Sequence, residues 1–156
     1  MDESAILACM AYVDLNPIRA RMDKTPETAK HTSIKKRIWA LKQGKPQPTT
    51  LMAFVGNHRQ DMPKGIAFYL QDYCALVDMT GRCIREGKGS YIDSSQSPIL
   101  KRLGLASEQW LTLTTEYEKH FCYAAGAELL MKEFKTHTNH LRLRGMGMAR
   151  ALLSRT

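Results

Sequence analysis

Ala5-Ile6-Leu7-Ala8-Cys9-Met10-Ala11-Tyr12-Val13, followed at once by Asp14-Leu15-Asn16-Pro17-Ile18-Arg19-Ala20-Arg21, is the stretch on which the reading of this chain turns. Its first nine residues form the longest unbroken apolar run in the sequence. That is well short of the ~20 residues a membrane span needs. Asp2 and Glu3 stand before it, where a secretory leader would carry positive charge. Ile6, Met10 and Val13 recur at helical spacing, with Cys9 on the same stripe. The spacing predicts a helix that buries this stripe. Asn16 is a good helix cap and Pro17 a good first helical residue, so a short new turn over Pro17–Met22 is expected.

Outward from this segment the punctuation stays helical. Thr25-Pro26-Glu27 repeats the cap logic, and His31-Thr32-Ser33 leads into a helix from Ile34 to about Gln43, stopped by Gly44. Lys45–Lys64, with Pro46, Pro48, Gly56 and Pro63, reads as an extended connector whose Leu51–Val55 portion tucks onto the core. A longer helix is expected from about Ala67 to Glu86. Its interior Gly81 costs ~1 kcal/mol relative to Ala and marks a close helix crossing. Gly87–Ser97 is a loop. Ser97-Pro98 caps a short helix over Ile99–Leu103, and Ser107 caps another that continues past Gly126 to Phe134. The basic end of the chain is expected to be partly ordered. No segment alternates as a strand does. The fold class is all-α: an irregular domain of about five helices with long connectors.

The composition narrows the function. The chain has 156 residues, 44% of them hydrophobic, which suffices for a real core and excludes wholesale disorder. Net charge is +8, and it is concentrated. Lys30–Lys45 holds Lys30, Lys35, Lys36, Arg37, Lys42 and Lys45 with no acid; Lys135–Thr156 holds Lys135, Arg142, Arg144, Arg150 and Arg155, again with no acid. Two such segments are what tracking a phosphate backbone requires. They fit a solvated helix face and a basic tail equally well. Lys35, Lys36, Arg37, Lys42, Arg142 and Arg144 are the candidate DNA contacts. The four cysteines form no C-x-x-C and no disulfide scaffold, so reduced thiols, a cytoplasmic location and no membrane partner are expected.

Tyr12-Val13-Asp14-Leu15-Asn16-Pro17-Ile18-Arg19-Ala20 resembles the tyrosine-helix motif of bacterial REP-associated tyrosine transposases. In that family a tyrosine stands four residues before Asn-Pro, followed by an aliphatic residue, Arg or Lys, a variable residue and Gly. Arg21 stands where the Gly is usual. His31-Thr32-Ser33-Ile34, Leu76–Arg82, Ile84-Arg85 and Phe121–Gly126 are similar to later segments of one branch of the family, so the resemblance spans nearly the whole chain. It implies that Tyr12 is the nucleophile of DNA strand transfer, with Asn16, Pro17 and Arg19 as motif support. A phenol attacking a phosphodiester conserves the bond as phosphotyrosine. It is weakly nucleophilic at neutral pH and needs a cation on the phosphate. In the family a divalent cation such as Mg is held by two histidines, two residues apart on a strand.

That pair is missing from this sequence. His31, His58, His120, His137 and His140 are never two apart, and no metal site or resident cofactor is expected. His137 and His140 share a helix face in a basic setting without an acidic or Cys partner. The expectation is therefore a C-terminal piece of such a transposase: residues 1–22 as an orphan tyrosine helix with its Asn-Pro turn, and residues 23–156 as a helical extension. Its partners would be single-stranded or hairpin DNA and a full-length transposase reached by helix exchange. It would be inactive alone. Helix geometry puts Tyr12 about 120° from the Ile6/Met10/Val13 stripe, beside Ala5 and Ala8, small neighbours that leave room for DNA. The alternative is a stand-alone helical DNA-binding or regulatory protein in which Tyr12 is structural. Ile99–Leu113 has the outline of a helix-turn-helix, but Glu108, Glu116 and Glu118 on its second helix oppose phosphate. Trp39 among bases suits either base stacking or a core rim.

Overall fold

The computed structural model describes residues 2–56, 65–86, 92 and 97–153. The fold is all-α. The described residues form α1 (Glu3–Asp14), α2 (Asn16–Arg19), α3 (Ser33–Lys42), α4 (Leu70–Glu86), α5 (Pro98–Leu103), α6 (Ser107–His120), α7 (Glu128–Thr136) and α8 (Met146–Met148), ending in a π-helical turn, Ala149–Leu153. They contain no strand, only an isolated parallel bridge between Phe54 and Ile66. No described helix is long and apolar enough to cross a membrane.

α1 lies along α6. The face it buries is Ala5, Leu7, Ala8 and Ala11, all fully covered. This differs from the expected Ile6/Met10/Val13 stripe, of which Val13 is 59% exposed and Ile6, Cys9 and Met10 are half-buried. The reason is steric. Three alanines let α6 approach closely, and the closer packing wins over the bulkier stripe. The room expected beside Ala5 and Ala8 is therefore filled by α6. Nor is α1 an orphan. Side chains from Ala5 to Leu153 share one core, so packing shows no division at residue 22.

α2 crosses α4 at Gly81, as its glycine foretold. A Cβ there would stand 3.2 Å from Ile18 Cδ1 and 3.3 Å from Leu15 Cδ2. Leu15, rather than Asn16, is the residue before α2; Asn16 is its first helical residue and Pro17 stands in its first turn. In the centre, fully buried Trp110 of α6 donates from Nε1 to Thr80 Oγ1 of α4 at 2.9 Å. The Ser97 hydroxyl caps α5 through Leu100 N at 3.3 Å, and Gly104 (φ +66°) closes it. α6 does not run on to Phe134. It kinks at Glu116 and stops at Phe121, whose extended backbone sends its ring inward; α7 starts anew at Glu128, where Asp2 accepts from Ala127 N. The basic end is docked, with Leu143, Ala149 and Leu153 buried. Most of the Gly87–Ser97 loop and residues 57–64 of the connector lie outside the described residues, His58 included.

Candidate nucleic-acid interface

Tyr12 sits half-buried near the end of α1. Three polar motif residues, Tyr12, Asn16 and Arg19, converge there. Arg19 lays its guanidinium on the Tyr12 ring, 3.7 Å from the centroid. The same guanidinium donates from Nη1 to the Tyr12 carbonyl at 2.6 Å and the Thr114 carbonyl at 3.1 Å, and from Nη2 to Asn16 Oδ1 at 3.2 Å. Arg19 thus straps α2 to both α1 and α6. On another side Tyr117 packs against Tyr12 at 5.8 Å between centroids. Burial pushes the phenol above its ordinary pKa, the nearby Glu118 carboxylate adds to this, and Arg19 works the other way. A raised pKa opposes attack by the phenolate. These surroundings do not fit a divalent cation: the neighbouring charges are one guanidinium and one carboxylate. Among the described residues no cluster of three His, Cys, Asp or Glu could hold a metal. His137 follows the end of α7, while His140 is stacked on Tyr123 at 4.3 Å.

The basic segment Lys30–Lys45 divides by face. Lys35, Lys36 and Trp39 recur at helical spacing and line the outer side of α3, while Ile34, Arg37 and Ile38 are buried, as is Thr32 just before the helix. Arg37 is therefore a correction to the expected DNA contacts. It is 2% exposed, donates from Nη2 to the Met52 carbonyl at 2.9 Å, and packs on the Phe54 ring at 4.9 Å. Its Nε and Nη1 have no hydrogen-bond partner among the described residues. Burial pulls the guanidinium below its ordinary pKa, and the nearby Tyr73 and Asp14 work the other way. Lys42 is exposed and 3.7 Å from Glu27, an ion pair that competes with phosphate. In the tail Arg142 is exposed, and Arg144 is exposed but donates to the Lys119 carbonyl.

Lys30, Lys35, Lys36 and Lys45 converge on a cleft of about 900 Å³ between α3 and Lys45–Thr49. Gly44 (φ +60°) creates it. In the left-handed conformation that glycine favours, it turns the chain so that Lys45 N bonds the Ala40 carbonyl at 2.9 Å and the segment runs back along α3. Gln47 then fixes the far wall, donating from Nε2 to the Phe54 carbonyl at 2.7 Å and accepting from Phe54 N at 2.8 Å. Pro46 and Pro48 flank it. Trp39 is 55% exposed in the cleft, with Lys45 Nζ 4.5 Å from its ring centroid.

Comparison with protein-family models, with curated proteins and with solved structures gave no match. The chemistry therefore rests on the residues themselves.

Asp14 escaped the sequence reading although it lies inside the motif. It is buried, and three groups donate to it: Ser33 Oγ at 2.8 Å, Ile34 N at 3.0 Å and Tyr73 Oη at 2.8 Å. It caps α3 from another helix, a task the Thr32 side chain does not perform. Burial holds its pKa above the ordinary carboxylate value, and these three hydrogen bonds only partly oppose the shift. The available signal was an acid flanked by Val13 and Leu15, which a buried helix face tolerates only with partners. Lys30 and Lys45 were counted as charge but not chosen as contacts. Gln47 carried no signal, because its partner is the backbone of a residue seven positions on.

Proposed function

We propose that this chain carries the nucleophile-bearing helix and the helical extension of a single-tyrosine DNA transposase, and that it binds single-stranded or hairpin DNA through its basic α3 face. What carries the reading is α1. It is apolar on two faces, one filled by α6. The other, formed by Ile6, Cys9, Met10 and Val13, is an open groove of about 310 Å³. A helix apolar on all sides calls for burial on all sides. The open face suits docking on the catalytic sheet of a transposase, with Tyr12 half-exposed at the helix edge. The exposed lysines of α3 support the DNA part of the reading. With no His pair in the sequence and a phenol held protonated, the chain by itself is expected to bind without cutting.

A second reading is a stand-alone helical DNA-binding or regulatory protein with Tyr12 structural. The Arg19 guanidinium covering the Tyr12 ring favours it. Both readings require binding to nucleic acid. The test is the affinity for a labelled hairpin oligonucleotide at about 50 and about 200 mM salt. Four lysines on phosphates should weaken binding by about 50-fold between these conditions. Absence of binding at the lower salt refutes both. Recombination activity distinguishes them: added to a full-length family member whose own tyrosine is Phe, the chain should restore hairpin cleavage through Tyr12 under the first reading and not under the second.

A further inference from the structure

We infer that the cleft between α3 and Lys45–Thr49 is a seat for one unpaired base of single-stranded DNA, with Trp39 as the stacking platform and Lys35, Lys36 and Lys45 on the adjoining phosphates. The inference deepens the DNA-binding reading above and rests on it. Four features converge. First, the lining combines the apolar surfaces of Trp39, Ala40, Pro46 and Pro48 with four lysines. A nucleotide combines the complementary pair, an apolar base and an anionic link. Second, the lining residues include no acid, and none of Lys30, Lys35, Lys36 or Lys45 is in an ion pair with a described acid. The charge is free for an external anion. Third, a tryptophan in water is a loss that packing ordinarily avoids. Here the Gly44 turn and the Gln47 clamp hold the facing wall off the ring, so the exposure is built in. Fourth, Lys45 covers the indole at 4.5 Å, the place a stacked base would take, so a base entering the cleft displaces a flexible ammonium from the ring toward its own phosphate.

Stacking selects for single strands. In a duplex the base faces are covered by their neighbours, so duplex DNA reaches the lysines but not the indole. An acidic peptide reaches the lysines as well, and it too lacks a π-face to lay on Trp39. Base–aromatic stacking contributes about 1–3 kcal/mol per base, or roughly 5- to 150-fold in affinity.

Tryptophan fluorescence tests this directly. The other tryptophan, Trp110, is fully buried, so quenching reports Trp39. A short oligo-dT should quench the emission; a blunt duplex and poly-glutamate should not. Trp39→Leu should weaken oligo-dT binding by about 5- to 150-fold and leave duplex affinity within about twofold. Because the residue is more than half exposed, the variant should melt like the parent, which circular dichroism checks. The double variant Lys35→Gln/Lys36→Gln should weaken both ligands and flatten the salt dependence. If oligo-dT binds with steep salt dependence but neither quenches Trp39 nor responds to Trp39→Leu, the seat is refuted and general DNA binding stands. If neither oligo-dT nor duplex binds, the DNA-binding reading falls and takes the seat with it. Equal quenching by poly-glutamate overturns the base stack, and tighter binding of oligo-U than oligo-dT overturns the assignment to DNA.

Discussion

Arg21 holds a backbone conformation that its side chain makes costly. It stands where the resembled family has glycine, and its φ is +57°. The left-handed conformation is thus taken by a residue other than the glycine that adopts it freely. An L-residue there costs about 1–2 kcal/mol. Arg21 is exposed, so its side chain gives little in return. Arg21→Gly should accordingly raise stability by about 1 kcal/mol, read as a higher urea midpoint with an unchanged slope. A lower midpoint would mean that the arginine has a partner in the folded state. At this scale the sequence was legible where a residue acts on its neighbours, as Ser97 does on Leu100. It was illegible where the partner is far along the chain. Asp14 and Tyr73 are 59 residues apart, and nothing local announces that their side chains meet.

Among the elements, α1 separates what periodicity can tell from what it cannot. The apolar spacing marked a helix. It did not choose between two apolar faces, because that choice depends on what packs opposite, and small alanines win by letting α6 come close. Two substitutions check the assignment. Leu7→Ala, in the covered face, should cost about 3 kcal/mol. Val13→Glu, in the open groove, should change stability by less than about 0.5 kcal/mol. Chemical denaturation reads both, and equal losses would show that the groove is closed in solution. The junction of α7 with the terminal π-helical turn is governed by charge. Glu128 accepts from Arg150 Nη2 at 2.7 Å and Nε at 2.9 Å, and pairs with Lys132 at 2.8 Å. Arg150 chiefly, then Lys132, holds the Glu128 carboxyl at about 2. A folded-state pKa below the unfolded one stabilises docking above the ordinary carboxylate range, and that contribution is lost as pH falls toward 2. The Leu153 methyl resonances should therefore shift toward mobile positions on acidification from pH 5. Glu128→Gln should show that shift already at neutral pH. Added salt should weaken the same contact, since the arginine is exposed.

For the whole molecule, fold class was readable and arrangement was not. Helix punctuation by Pro17, Gly44, Ser97 and Gly104 is local chemistry, and it put most helices near their observed places. One continuous core crosses residue 22, and Leu143, Ala149 and Leu153 dock the basic end, for one reason: burial is decided by the entire chain. Leu143 and Leu153 look like scattered apolar residues in a basic stretch until Phe121 and α7 provide somewhere to bury them. The candidate interface was half legible. A count of lysines located it, but Arg37 has the same charge and faces the opposite way, and only a helix axis fixed in space distinguishes them. The carboxylate of Asp14 gives that axis a further meaning. It belongs to the last turn of the helix that bears Tyr12, and it grips the first turn of the helix that bears Trp39. The helices that carry phenol and indole are thereby tied to each other through one carboxylate, so loss of that acid should be felt at both rings.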